Sequence, residues 1–114
     1  EIIKVDKLVQ YVKERKNSDG GYCFYRLDES NTSDTFYAVA IHNILDIPLE
    51  DKENTIEFLL NQQRPDGTYP SIYSAWYSIK TLHILGKRPI YDPTDFLKEK
   101  LNKKIEQKTQ ELLE

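Results

Sequence analysis

Apolar residues recur along the chain with the period of α-helices in several separate stretches. From Val5 to Val12 they stand at positions i, i+3, i+4 and i+7, which is the spacing of one apolar helix face. The stretch from Ile56 to Gln63 repeats that spacing. Both stretches are therefore predicted to form helices with one apolar face and one face in water.

Two further stretches, Thr35–Leu45 and Tyr73–Leu85, are apolar on nearly every side. Helices of this kind are buried on most sides or line a cavity. Ser33 or Asp34 is predicted to cap the first of them, because short polar side chains accept hydrogen bonds from the free N–H groups of a helix start.

A last stretch, Asp95–Leu113, is rich in Lys, Glu and Gln and carries one apolar stripe, formed by Leu97, Leu101, Ile105 and Leu112. This pattern predicts a long, half-exposed amphipathic helix. Together the stretches predict an all-α fold of about five helices.

The sequence contains an internal repeat. A shift of 47 residues places Val9–Tyr22 on Ile56–Tyr69, and a shift of 40 aligns the helices that follow. Each copy is a one-faced helix, an Asp-Gly turn with an aromatic residue after it, and an all-round apolar helix. Alternating helices of these two kinds predict stacked αα-hairpins with an outer and an inner layer.

These repeats define the expected domain organisation. Residues 1–92 are predicted to hold two αα units, at about 5–48 and 52–89. Residues 93–114 are predicted to be a C-terminal amphipathic helix, or the start of a third unit. Because so short an array leaves apolar ends uncovered, we expect self-association or further repeats of a longer chain.

The repeated turn has a simple structural interpretation. Gly adopts positive φ at little cost, and Asp bonds the backbone two residues further on. A Gln at the end of the preceding helix can bond the free backbone groups of the loop. The residues assigned to this motif are Asp19, Gly20, Tyr22, Gln62, Gln63, Asp66, Gly67 and Tyr69.

Composition narrows the classes of partner. The 114 residues carry a net charge of −3 without a basic stripe, which argues against nucleic acid or an anionic membrane as the main partner. No apolar run approaches the roughly 20 residues of a membrane-spanning helix. The single cysteine, Cys23, is expected to be a small apolar filler and suits a reducing cytoplasm. The absence of methionine leads us to expect a processed chain or a piece of a longer one.

The stretch TIEFLLNQQRPDGTY resembles the outer helix and turn of the prenyltransferase and squalene-hopene cyclase repeat. SDTFYAVAIHNIL and SAWYSIKTLHILG resemble the inner helix of that repeat, so that the resemblance covers about residues 5–90. It implies an α/α toroid, here a partial one, like the β subunit of protein prenyltransferases and class II terpene cyclases. In that family the inner helices surround an apolar cavity that holds isoprenoid chains.

Aromatic residues are concentrated where the resemblance places the inner helices. Of eight Tyr, four Phe and one Trp, most fall within residues 22–37 and 69–77. The resemblance implies that such rings line a pocket for an isoprenoid or another apolar small molecule, although aromatic stripes at helical spacing usually pack as core. The candidate pocket residues are Phe36, Tyr37, Tyr73, Trp76 and Tyr77.

The catalytic acid of the cyclases does not carry over. Their Asp-x-Asp-Asp-Thr motif corresponds to Asn31–Thr35, where Ser33 stands in place of the proton-donating Asp. A serine hydroxyl cannot perform that general-acid step. Asp34 is the one remaining catalytic candidate in this motif.

Metal chemistry is equally unsupported. Prenyltransferases hold zinc with an Asp, a Cys two residues later and a distant His, and neither inner helix supplies that Cys. His42 and His83 stand near the C-terminal ends of the inner helices, far from the expected mouth of the cavity. We therefore expect no cofactor, and a zinc or magnesium ion stays an alternative that no residues of the motif support.

One carboxylate cluster leaves a third chemistry open. Asp28, Glu29 and Asp34 stand together around the first loop, and α/α toroids also host glycoside hydrolysis by paired carboxylates. A solvated acidic loop with a helix cap accounts for the same residues.

Two hypotheses follow from these observations. In the first, the chain is part of a prenyltransferase- or cyclase-like toroid that acts on an isoprenoid diphosphate or polyprene. In the second, it is a non-catalytic repeat scaffold or a module that binds hydrophobic ligands. The substitutions at the acid and zinc positions favour a chain that lacks complete catalytic machinery.

Overall fold

The computed structural model describes residues 4–25 and 28–114, and its regular elements in these ranges are five α-helices. The helices are α1 (Val5–Glu14), α2 (Thr32–Ile44), α3 (Lys52–Leu60), α4 (Ile72–Ile84) and α5 (Thr94–Leu113). Extended structure in the described ranges is confined to isolated bridges that join Tyr22 to Lys16 and to Asn31. The prediction of an all-α fold is confirmed.

The two inner helices, α2 and α4, pack side by side, with α1 against α2 and α3 against α4. Several of the buried positions of the inner pair are small: Ala38, Ala75 and Ser78 are all fully buried. Small side chains let two helix backbones approach closely. The outer helices then cover the inner pair from one side.

Each outer helix has its own core cluster against an inner helix. Val12 of α1 packs with Tyr22 and Ala38, and α3 packs Leu59 against Leu82. The third cluster joins the start of α5 to α4 through Phe96 and Ala75, with Tyr69 of the second turn between them. The core is thus a row of similar small clusters, as stacked repeats produce.

Of the two alternatives predicted for the inner helices, burial on most sides or the lining of a cavity, burial on most sides does not hold for α2. In α2 the buried residues are Thr35, Ala38, Val39 and His42, which form one face. Tyr37 is 47% exposed and Ile44 is 79% exposed. The apolar residues on the opposite face have no covering layer among the described residues.

The prediction that Ser33 or Asp34 caps α2 is wrong. Asn31 is the cap, and its Oδ1 accepts a hydrogen bond of 2.7 Å from the backbone N–H of Asp34. Ser71 caps α4 in the same way, accepting from the N–H of Ser74 at 3.0 Å. The two caps lie 40 residues apart, which is the shift that aligns the inner helices in the sequence.

Helix α5 is packed only at its start. Phe96 is its one buried residue, and every residue from 101 onward is exposed. Leu101 is 57% exposed and Ile105 is 54% exposed, so the predicted apolar stripe is present but largely uncovered by the described residues. Among the described residues, no helix has the length and apolar character needed to cross a bilayer.

Candidate functional site

The two Asp-Gly turns have the same backbone geometry. Gly20 and Gly67 have φ of 92° and 88°, the left-handed region that favours glycine. Asp19 Oδ1 accepts from the N–H of Gly21 at 2.9 Å, and Asp66 Oδ1 accepts from the N–H of Thr68 at 3.0 Å. These Asx-type bonds close each turn locally.

The first Asp-Gly turn is packed against the first turn of α3, and the second is packed against the segment that leads into α5. A Cβ atom at Gly20 would collide with the backbone carbonyl of Asn54. A Cβ atom at Gly67 would lie 2.7 Å from the carbonyl oxygen of Asp92. The glycines are therefore required by close approach as well as by φ.

Gln63 joins the second turn to the start of the next unit. Its Nε2 donates to the carbonyl oxygens of Tyr91 at 2.9 Å and Gly67 at 3.2 Å, and its Oε1 accepts from the N–H of Tyr91 at 3.1 Å. Gln63 is buried, whereas Gln62 donates only to the carbonyl oxygen of Phe58 in the preceding helix α3, at 3.1 Å. Of the two glutamines that the sequence offers, Gln63 makes the long-range contacts.

Lys16 occupies the corresponding position of the first unit, a role that sequence comparison missed. Its Nζ donates to the carbonyl oxygen of Glu50 and, at 3.2 Å, to that of Asp51. Burial lowers the pKa of Lys16, while the negative charges of Asp51 and Glu50 act in the opposite direction. The shift of 47 residues already aligns Lys16 with Gln63, and this alignment is the sequence signal that could have identified the role of Lys16.

The aromatic residues of the turns, Tyr22 and Tyr69, are core residues. They are 1% and 2% exposed, and burial raises the pKa of each to about 12. The Tyr69 hydroxyl is buried without a hydrogen-bond partner among the described residues. Both phenols therefore stay neutral at physiological pH and act as packing groups.

Asp34 is engaged with the backbone. Its Oδ2 accepts from the N–H of Phe24 at 3.0 Å and from Asn31 Nδ2 at 2.9 Å. Asp28 and Glu29, the other members of the predicted carboxylate cluster, are exposed. In this arrangement Asp34 holds the loop onto the start of α2.

The described part of the chain contains no group of three or more His, Cys, Asp or Glu side chains that is arranged to hold a metal ion. His42 is buried and its Nδ1 lies 2.7 Å from the carbonyl oxygen of Ala38, so Nδ1 carries the hydrogen. His83 is exposed on α4, and Cys23 is buried with its Sγ 3.1 Å from the Tyr25 carbonyl oxygen.

Four of the five candidate pocket residues come together as one cluster of rings, which we call the aromatic cluster: Phe36, Tyr37, Trp76 and Tyr77. The Phe36 ring lies 5.5 Å from the Trp76 ring and 5.6 Å from the Tyr77 ring, between ring centroids. Trp76 and Tyr77 are 5.1 Å apart in an edge-to-face arrangement. These separations are in the range of favourable aromatic contacts.

The aromatic cluster is open to solvent. Tyr37 is 47% exposed and Trp76 is 53% exposed. Hydrogen bonding to the Tyr77 hydroxyl raises the pKa of Tyr37. The fifth candidate, Tyr73, lies apart from the cluster under Lys104 of α5, whose Nζ is 5.2 Å from the ring centroid.

Trp76 also borders a groove between α4 and α5, the α4–α5 groove, with a volume of about 380 Å³. Its lining residues are Ile72, Trp76, Ile79, Lys80, His83 and Leu97. A volume of this size is at the lower end of the range for small-molecule sites. The indole of Trp76 thus connects two apolar surfaces, the aromatic cluster and the groove.

A model of the prenyltransferase alpha-alpha toroid domain family matches residues 1–108. No curated protein and no solved structure matches the chain.

Proposed function

The chain belongs to the prenyltransferase alpha-alpha toroid domain family, and from this premise we propose that it binds an isoprenoid or another apolar small molecule on its aromatic cluster. We propose further that this chain lacks the complete catalytic machinery of a prenyltransferase or cyclase. The observation that carries the proposal is the solvent-exposed aromatic cluster on the two inner helices.

The exposure of these rings is what supports binding. Core aromatics are covered on folding, as Tyr22 and Tyr69 are, whereas Tyr37 and Trp76 keep about half of their surface in water. Large contiguous apolar patches on a protein surface are uncommon and mark interaction sites. An isoprenoid chain laid across the rings would remove that apolar surface from water.

The hydrogen bonds that Asp34 already makes support the proposal that this chain lacks complete catalytic machinery. Its carboxylate already accepts hydrogen bonds from Phe24 and Asn31, and a general acid must carry a proton and direct it at the substrate. Ser33, at the position of the cyclase acid, has only a hydroxyl. Asp34 and Ser33 therefore favour a protein that binds its ligand without converting it.

The single tryptophan makes the proposal testable, because Trp76 lies in the aromatic cluster and is the only tryptophan of the chain. Farnesol is titrated into the protein while tryptophan fluorescence is recorded, and we expect a saturable change. Phe36→Ala should weaken binding by roughly fivefold, since an aromatic contact contributes about 1 kcal/mol beyond its area.

Ile90→Ala is the matched control, because Ile90 is 63% exposed in the loop after α4 and belongs to neither surface. This variant should bind farnesol like the parent protein. A fluorescence signal that does not saturate, or an equal loss of affinity in both variants, would refute the proposed site.

A second candidate function is that of a repeat scaffold that self-associates. The supporting observation is the α5 stripe, in which Leu101, Ile105 and Leu112 are 57%, 54% and 76% exposed. Sedimentation velocity should then show a dimer that Ile105→Lys dissociates and Lys103→Gln does not. A concentration-independent monomer would exclude this candidate for the chain as it stands.

A further inference from the structure

The α4 side of the α4–α5 groove repeats the side of α2 that packs against α4. The shift of 40 residues, which aligns the two inner helices, places every groove residue of α4 on a residue of α2. The groove residues of α4 are Ile72, Trp76, Ile79, Lys80 and His83, and their counterparts on α2 are Thr32, Phe36, Val39, Ala40 and Asn43.

On α2 this side is covered by the next inner helix. The Phe36 ring lies 5.6 Å from the Tyr77 ring of α4, and the buried Val39 borders the same cavity as Ile84 of α4. On α4 the counterpart of Phe36 is Trp76, which is exposed. The described residues include no further helix that covers this side of α4.

The outer wall of the groove is repeated as well. Leu59 of α3 follows Phe58 in the sequence and packs against Leu82 of α4, which buries Leu59 completely. Leu97 of α5 follows Phe96 in the same way, but it is only half-buried and lines the groove. The groove thus offers the two surfaces between which α4 lies in the preceding unit, one from an inner helix and one from an outer helix.

Helix α4 also shows which side of an inner helix fits between two such surfaces. Its contacts with α2 involve Tyr77 and Ile84, which stand seven positions apart and share one helix face. The shift of 40 residues places these two on Tyr37 and Ile44 of α2, and both of those side chains are exposed. The pattern that fits the groove is therefore an aromatic residue followed seven positions later by an aliphatic one.

We propose that the α4–α5 groove docks a single inner helix of the same repeat type, supplied by a partner polypeptide. Because α5 already forms the outer wall through Leu97, the partner contributes the helix alone rather than a complete αα unit. The docked helix places its aromatic residue beside Trp76, as Tyr77 lies beside Phe36, and extends the aromatic cluster by one helix. This mode of recognition is that of an apolar helix laid in a groove.

The test uses a peptide with the sequence of residues 31–46, which contains α2, titrated into the full chain. The peptide has no tryptophan, so the fluorescence of Trp76 reports docking directly. We expect a saturable blue shift of the emission, because the indole leaves water. The circular dichroism of the mixture should show more helix than the sum of its parts, since a free helix of this length is marginal in water.

Two peptide variants identify the docking face. Ile44→Lys in the peptide should weaken binding by roughly tenfold or more, because the aliphatic side chain is buried on docking. Asn43→Lys adds the same charge one position earlier, at the counterpart of the exposed His83, and should bind like the parent peptide. Equal affinities of the two variant peptides would overturn the proposal.

Two variants of the full chain identify the groove. Leu97→Lys should weaken binding of the parent peptide by roughly tenfold, whereas Ile105→Lys, the change that should dissociate a dimer formed through the α5 stripe, should leave it unchanged. Peptide binding that Leu97→Lys leaves intact, or that Ile105→Lys abolishes, would place the peptide outside the groove. Circular dichroism melts establish that both variants are folded, and the peptide pair decides alone if Leu97→Lys is not.

The outcome is independent of ligand binding on the aromatic cluster. A peptide that docks while farnesol does not bind refutes the proposed function and supports this inference. Farnesol that binds while the peptide gives no saturable signal refutes this inference alone.

Discussion

Gln63 provides the sharpest test of how the repeat is held together. Its buried amide makes three hydrogen bonds, two to Tyr91 and one to Gly67, and thereby links two points that are 28 residues apart in the chain. Gln63→Ala removes all three. It also leaves the N–H and the carbonyl group of Tyr91 without these partners.

The expected cost follows from the number of bonds. A hydrogen bond contributes about 1 kcal/mol net, so that the loss of three bonds lowers the free energy of unfolding by about 3 kcal/mol. A domain of this size is stable by only about 5–15 kcal/mol, and the effect is therefore a large part of the total. Gln62→Ala is the control, since its one bond is a local one to the Phe58 carbonyl oxygen four residues earlier, and it should cost only about 1 kcal/mol.

The assay is equilibrium unfolding in urea, combined with amide hydrogen exchange. We expect the urea midpoint to fall in Gln63→Ala, and the amide of Tyr91 to lose protection more than the amides of α2. Gln63→Lys should recover part of the stability, because Lys16 makes the equivalent carbonyl contacts in the first unit. If Gln63→Ala and Gln62→Ala unfold alike, and Tyr91 exchanges as before, the reasoning is refuted.

Two further predictions concern the second turn. Gly67→Ala should lower the free energy of unfolding by about 3 kcal/mol, because φ is +88° and the new Cβ would lie 2.7 Å from the Asp92 carbonyl oxygen. Gly86→Ala is the control, since Gly86 has φ +77° but open space around it. In the same urea assay this control should lower the free energy of unfolding by only about 1 kcal/mol. Tyr69→Phe should raise stability at pH 7 by about 1 kcal/mol, because it removes a buried hydroxyl without a partner. The same variant should also lose less stability at alkaline pH. Burial raises the pKa of Tyr69 from 10.0 to about 12, so the folded state holds this phenol proton more tightly than the unfolded state does. In the parent protein the free energy of unfolding is therefore unaffected by this group below pH 10.0 and falls as the pH rises toward 12. A urea midpoint that is lower for Tyr69→Phe at pH 7, or an alkaline decline equal to that of the parent protein, would contradict this assignment.

The sequence predicts local hydrogen bonds and backbone angles correctly where both partners lie within a few residues of each other. The Asp-Gly turns depend on a backbone bond two residues away and on positive φ, and both are properties of the residue types themselves. The cap of α2 was missed because Asn31, Ser33 and Asp34 are all good caps within four residues. Only the position at which the helix begins selects Asn31 among them.

The sequence does not predict in the same way which side chains from different helices come into contact. Helical periodicity puts Tyr73, Trp76 and Tyr77 near one another, yet Tyr73 lies under Lys104 while the other two join Phe36. Which ring turns toward which neighbour depends on the packing of α2 and α5 against α4. The sequence also offered two glutamines for the turn, and only the three-dimensional path of the chain brings Tyr91 to Gln63 rather than to Gln62.

Residues on both sides of position 93 contact the second turn. Gln63 bonds to Tyr91, Gly67 abuts Asp92, and the Tyr69 ring lies 6.0 Å from the Phe96 ring, so three contacts join the start of α5 and the segment before it to the second unit.

The first unit is joined to α3 by equivalent contacts, through Lys16 and the close approach of Gly20 to Asn54. The segment around the start of α5 thus contacts the second turn much as the segment around the start of α3 contacts the first, and the family match extends to residue 108. Because each turn is tied to the outer helix that follows it, stability should pass from unit to unit by nearest-neighbour contacts. Loss of one tie should then loosen the helix that follows the turn more than the helix that precedes it.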